Sequence, residues 1–109
     1  MTVKYIETLD EFLEEIQQVG TVVVKVSTST CGPCKMMEPI FEKASEEDYG
    51  FKAIFVSLSP EDSAEISTYA RQTLRVSTVP TFIVFKDGGI VNQFSGALPL
   101  NPFKAKLGI

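Results

Sequence analysis

The apolar residues of this chain switch repeatedly between a period of two and one of about three and a half. That alternation restricts the chain to strands interleaved with helices, since each strand needs a partner and each apolar helix stripe needs a sheet face to cover. No repeat or linker interrupts the pattern, and 44% apolar content supports one core, so residues 1–109 read as a single α/β domain. Residues 3–6 form a short strand. Thr8 with Glu11 makes a capping box ahead of Leu9, Phe12, Leu13, Ile16 and Val19 at helical spacing, and Gly20 ends that helix. Residues 21–27 are dense in β-branched side chains and almost continuously apolar, as in a central strand covered on both faces. A second helix is expected from about Pro33 to about Asp48, kinked at Pro39, with Met37, Ile40, Phe41 and Ala44 on its inner face. Residues 51–58 make another strand. Ser59, Pro60, Glu61 and Asp62 carry the signature of a helix start, with Ile66, Ala70 and Leu74 as the buried stripe. Residues 81–86 and 90–95 flank Asp87, Gly88 and Gly89 as an antiparallel hairpin, and Asn101 with Pro102 opens a short last helix.

The net charge is −4 and the ten Lys and Arg residues are scattered, so no basic stripe exists to neutralise phosphates. Nucleic acid and membrane surfaces are therefore not expected partners. No opening run of charged, apolar and small-residue regions appears, and the apolar runs are strand-sized, so neither a signal peptide nor a membrane helix is expected. The chain reads as a soluble cytosolic monomer. Its two cysteines lie in one motif, which is not the pattern of a secreted scaffold stapled by disulfides.

That motif is Cys31-Gly32-Pro33-Cys34. As a structural staple it is poor, because closing so short a loop restricts the unfolded chain by only about 2 kcal/mol. Two thiols one turn apart can instead exchange between dithiol and disulfide without disturbing the fold. Cys31 precedes a helix, where unpaired N–H groups and the dipole favour a thiolate, so it is the expected exposed nucleophile. Cys34 falls inside the first turn and is the expected resolving thiol, with Gly32 and Pro33 fixing the turn between them. The same spacing is also half of a zinc site, but zinc is poorly supported, since no histidine and no second cysteine pair exist to complete four ligands within one chain.

Cys31-Gly32-Pro33-Cys34-Lys35, Pro39, Val79-Pro80-Thr81-Phe82, and Phe85-Lys86-Asp87-Gly88 through Gly96-Ala97 together resemble the thioredoxin family in order and spacing, over nearly the whole chain. The resemblance implies a central mixed five-stranded sheet flanked by four helices, with the active site at the C-terminal end of a middle strand. It implies a cis peptide at Val79-Pro80 facing the disulfide, and a substrate-binding rim of Thr30, Val79, Gly96 and Ala97. The activity implied is reduction of protein disulfides, without a bound cofactor, through a Cys31 mixed disulfide resolved by Cys34. Recharging by a thioredoxin reductase-like electron donor goes with it. Thioredoxins are the reference case for a thiol lowered to a pKa of about 7, against about 8.5 for free cysteine. At neutral pH that raises the thiolate fraction about sixteenfold and lowers nucleophilicity about fivefold, so the larger benefit is as a leaving group. An oxidant or isomerase of the same fold, or a non-catalytic binding subunit, remains as the alternative. The Gly-Pro dipeptide argues against the former, since relatives in that role usually carry histidine between the cysteines.

Several positions depart from the family pattern. Thr30 and Ser27 stand where tryptophans are usual, and Phe55 stands where a lysine is usual. Lys25 occupies the place of a buried aspartate that helps move the resolving thiol's proton. Two readings of Lys25 stay open: it lies near Cys34 and stabilises the thiolate, making a weaker reductant, or its ammonium snorkels to the sheet edge and does nothing chemical. Other features have plain explanations. Pro80 alone would merely start a strand, residues 27–30 would be a polar connection, and Met36 and Met37 would be core filler.

Overall fold

The computed structural model describes residues 3–46 and 51–108. Its centre is β2 (Thr21–Ser27), whose residues from Val22 to Ser27 are all buried, as its β-branched sequence requires of a strand covered on both faces. β2 pairs in parallel with β3 (Phe51–Ser57), with Lys25 opposite Phe55. It pairs antiparallel with β4 (Thr81–Lys86), with Val26 opposite Thr81. β1 (Val3–Tyr5) adds in parallel outside β3, and β5 (Gly89–Ser95) pairs antiparallel with β4, giving a mixed sheet in the order β1-β3-β2-β4-β5. The helices α1 (Leu9–Ile16), α2 (Gly32–Glu46), α3 (Ala64–Gln72) and α4 (Leu100–Leu107) complete the order βαβαβαββα.

Strand alternation divides the interior in two. Val22, Val24, Val26, Ile54, Val56, Ile83 and Phe85 meet Phe12 and Ile16 of α1 and Ile66 and Ala70 of α3. On the opposite face Val23, Ala53, Phe82 and Val84 meet Met37, Phe41 and Ala44 of α2 and Phe103 and Leu107 of α4. Phe41, Phe82 and Phe103 form a ring cluster there, with centroids 4.8–6.2 Å apart. Lys25 shares this second face by the same alternation.

The hairpin turn is the two residues Asp87 (φ 50°) and Gly88 (φ 89°), both in the left-handed region that matches strand twist, so β5 begins at Gly89. The Asp87 carboxylate accepts the Gly20 N–H at 2.7 Å, tying this turn to the entry of β2. Four expectations need correction. α1 stops at Ile16 and Val19 lies beyond it, 94% exposed, because the chain is already turning toward β2 through Gly20 at φ 99°. The second is half of the Thr8–Glu11 capping box: Thr8 Oγ1 accepts the Glu11 N–H at 3.2 Å, but the Glu11 carboxylate is spent on Lys4. Residues 59–62 form a turn, not a helix start. The Ser59 carbonyl accepts the N–H groups of Asp62 and Ser63, Asp62 is held by the Ser57 hydroxyl, and Ser63 caps the helix by accepting from Ile66 N–H. Last, α4 opens at Leu100 after Pro99, which places Pro102 within the first turn, where a missing N–H costs nothing. Asp48, the expected end of the second helix, lies outside the described residues; Pro39 sits inside α2.

On the α1 face one acid is buried. Glu15, 5% exposed, accepts from Lys4 Nζ at 2.8 Å, from Lys52 Nζ, and from Gln18 Nε2 at 3.2 Å, clamping α1 to β1 and β3. Burial pushes its carboxyl up, but the hydrogen bonds and charges of the two lysines outweigh that and leave it below the ordinary carboxylate value of 4.5. A carboxyl with a lowered folded pKa contributes stability above its unfolded pKa, and loses it as pH falls through the folded value. We therefore expect Glu15→Gln to cost about 1–2 kcal/mol in denaturant melts at pH 7, since its half-exposed lysine partners can turn to water. The deficit should shrink as pH drops below about 4.5. Equal deficits at pH 7 and pH 3 would show that packing, not charge, is what the glutamate supplies.

Candidate active site

β2 carries the chain to its C-terminal end at Ser27, and the connection over residues 28–31 delivers Cys31 to the start of α2. Cys31 behaves as an N-cap. Its carbonyl accepts the Lys35 N–H at 3.3 Å, and its Sγ accepts the Cys34 N–H at 3.1 Å, taking the place a capping oxygen would fill. Pro33, inside the first turn, has no N–H to satisfy. Cys31 and Cys34 are joined as a disulfide, with Cα atoms 5.2 Å apart. Access differs sharply: Cys31 is half-buried beside exposed Thr30, Gly32 and Pro33, whereas Cys34 is 2% exposed. Only Cys31 can be approached by a macromolecule.

The register of β2 with β4 brings Pro80, which precedes Thr81, to the same end of the sheet. The Val79-Pro80 peptide is cis. The Pro80 carbonyl accepts the Gly96 N–H at 2.9 Å, and the Thr81 hydroxyl donates to the Thr78 carbonyl at 2.6 Å. The first bond places Gly96 and Ala97 beside this loop. Ala97 also lines an apolar depression of about 180 Å³ with Leu98, Pro99, Met36, Met37 and Ile40. Leu98 N–H lies 3.2 Å from Met37 Sδ, joining the β5–α4 connection to α2. The two methionines therefore part company: Met37 is core, but Met36 is 67% exposed and borders the depression, which the sequence reading of both as filler missed. Their position directly after the cysteine motif was the available signal.

Lys25 is 1% exposed, and its Nζ donates to the Cys34 carbonyl at 2.9 Å. The snorkelling alternative fails because β2 is the middle strand and α2 lies over this face, leaving no edge within reach. The ammonium lies 5.5 Å from the Phe55 ring centroid, and with Tyr5, Glu38, Phe41 and Glu42 it lines a cavity of about 90 Å³. Burial pushes Lys25 below the ordinary lysine value of 10.5, with the Glu38 carboxylate offsetting part of that. Among the described residues no three His, Cys, Asp or Glu side chains gather where they could hold a metal.

The thioredoxin family model matches residues 3–108. The chain belongs to the thioredoxin family. It is 37% identical over 97 residues to a thioredoxin of Callithrix jacchus, covering 87% of each chain. A thioredoxin of Coprinus comatus is 32% identical over 97 residues, covering 89% of this chain and 88% of that one. Among solved structures, oxidised thioredoxin from Plasmodium falciparum superposes with a TM-score of 0.82 at 27% identity, covering 98% of this chain and 96% of that one. Thioredoxin from Malassezia sympodialis gives 0.81 at 26% identity, covering 99% and 92%. The five-stranded mixed sheet with four helices is thus the thioredoxin fold.

As a thioredoxin the protein is a thiol-disulfide oxidoreductase that reduces disulfides with its own cysteine pair, needing no cofactor. Disulfide-bearing proteins are its substrates and a reductase its electron donor. In this chain a cation lies against the backbone of Cys34. Its cost is measurable in the oxidised protein. Since the folded pKa of Lys25 is lowered, its ammonium opposes folding at neutral pH, and relief comes as pH rises from the folded pKa toward 10.5. Lys25→Met should therefore raise the free energy of unfolding by about 1–3 kcal/mol at pH 7. That advantage should narrow as 10.5 is approached, and a loss of stability at pH 7 would mean the amine repays its burial.

Proposed function

We propose that Cys31 is the nucleophile and Cys34 the resolving thiol of a protein-disulfide reductase. The observation that carries this is the pairing of unequal access with the Cys34 N–H donated to Cys31 Sγ. In the dithiol form the same donor, with the N-terminal end of α2, favours negative charge on Cys31. The Cys31 thiolate attacks one sulfur of a client disulfide, forming a mixed disulfide and expelling the other client sulfur as a thiolate. Cys34, having lost its proton, attacks Cys31 Sγ. The Cys31–client bond breaks with its electron pair on the client, so the client gains two electrons and the cysteine pair is oxidised. That second step is intramolecular, between sulfurs already placed by Gly32 and Pro33.

Pro80, Val79, Thr30, Gly96 and Ala97 form the client-binding rim in this proposal, supported by the Pro80–Gly96 hydrogen bond and the shared end of the sheet. Pro80 and Lys25 are the residues that shape the site in this proposal, with Lys25 held by the Cys34 carbonyl. The proposal extends to a monomeric single domain in the cytosol, without nucleic-acid or membrane partners. In support, the Cα radius of gyration is 12.6 Å, close to the ~13 Å of a compact domain of this length. Among the described residues no helix is long and apolar enough to cross a membrane.

Insulin reduction with dithiothreitol as donor tests the core of this reading. Wild-type protein should accelerate precipitation of the insulin B chain, and Cys31→Ser should lower the rate to that of dithiothreitol alone. Cys34→Ser should keep its first step and accumulate clients as mixed disulfides on Cys31, visible as adducts that dithiothreitol releases. A folded wild type that adds nothing to the rate with dithiothreitol alone would point to a binding subunit instead.

A further inference from the structure

Most charged side chains of this molecule face water or a partner, and the exception lies at the redox pair. Lys25 Nζ is enclosed by β1, β2, β3 and α2, and the only hydrogen-bond acceptor it meets among the described protein atoms is the Cys34 carbonyl. An ammonium has three protons to donate, so this one is under-satisfied by protein. The charged and titratable groups facing it are Glu38 and Glu42 from α2, Tyr5 from β1 and Cys34 itself; β3 offers the Phe55 ring. Glu38 and Glu42 are exposed at the cavity mouth. The adjoining space of about 90 Å³ has room for roughly three waters.

The Cys34 sulfur and carbonyl oxygen belong to one residue, so Sγ lies no more than about 8 Å from Nζ. At that range, inside a protein, a full charge changes a neighbour's ionisation by about tenfold or more. The disulfide carries no charge for Lys25 to act on. The dithiol does, once Cys34 ionises.

We propose that Lys25 is a positioning residue that stabilises the resolving sulfur as a thiolate, so that the dithiol form gains from its charge and the disulfide form does not. The proposal rests on Cys34 being the resolving thiol. During resolution the Cys34 thiol gives up its proton to solvent, the thiolate forms near the ammonium, and its attack on Cys31 Sγ removes that negative charge again as the client departs with the electron pair. Lys25 therefore speeds deprotonation, yet makes the dithiol a weaker reductant as pH rises. This pH dependence is the signature of a charge: where both sulfurs are protonated the ammonium has nothing to favour.

The test measures the equilibrium between the protein and glutathione for wild type, Lys25→Met and Lys25→Gln, counting free thiols by mass from pH 6 to pH 9. At pH 6 the three constants should agree within about twofold. By pH 9 both variants should be about tenfold more reducing than wild type, which for this two-electron couple corresponds to about 30 mV. Lys25→Gln keeps a donor for the Cys34 carbonyl, so a shift in Lys25→Met alone would assign the effect to the hydrogen bond and overturn the proposal. A gap independent of pH would also overturn it. So would unchanged equilibria with slower resolution, since that describes a neutral amine acting as a base.

Wild-type protein alone supplies a check that survives misfolding of either variant. Coupling is reciprocal, so the Lys25 side chain, followed by NMR, must titrate at higher pH in the dithiol form than in the disulfide form. Equal titration in both forms would overturn the proposal. None of these readings requires a protein client, so they stand or fall apart from the insulin assay.

Discussion

Everything at the redox site hangs on β2 being paired along both edges. Parallel to β3 and antiparallel to β4, it cannot slip without moving every buried side chain on two faces. Its C-terminal end fixes where the cysteine loop begins. Its pairing with β4 fixes where Pro80 stands relative to that loop, and its alternation sends Lys25 under α2. The helix is held in turn by Met37, Phe41 and Ala44 against the same strand face, so the first turn with Cys34 is anchored by packing well beyond the motif.

The two sulfurs of the site differ in their surroundings. Cys31 has exposure and a backbone donor; Cys34 has burial and a neighbouring cation. A buried Lys25 would ordinarily be expelled by selection for stability, because desolvation outweighs a single carbonyl contact and a ring face. Glu38 lies one helical turn after Cys34, near enough to hold the lysine's pKa up in part, and is itself exposed. The arrangement offsets part of the cost of an interior charge by placing its counter-charge at the cavity mouth.

Most of the architecture was legible in the sequence because periodicity and turn chemistry are local. The bounds of β2 and β4 follow from β-branched runs, and the hairpin from Asp87-Gly88. Reading failed where two local signals competed. Ser59-Pro60-Glu61-Asp62 and Ser63 are both good helix starts, and the choice fell to Ser63 because the Ser57 hydroxyl engages Asp62. Val19 fitted the helical period but lay past the point where the chain had to turn for β2. At the site, the cysteine pair and the cis loop proline were visible from spacing and resemblance. The fate of Lys25 was not, since no sequence pattern distinguishes an amine that reaches water from one roofed by a helix. Met36 posed the same problem in reverse.

The sheet also acts as a partition. The clamp of Glu15 by Lys4 and Lys52 stands on the face covered by α1 and α3, and Lys25 with the cysteine pair stands on the face covered by α2 and α4. Five strands of packed backbone lie between them. The ion-pair clamp and the redox pair are therefore insulated from each other by one wall, and a substitution in the clamp reaches the cysteines only through the sheet.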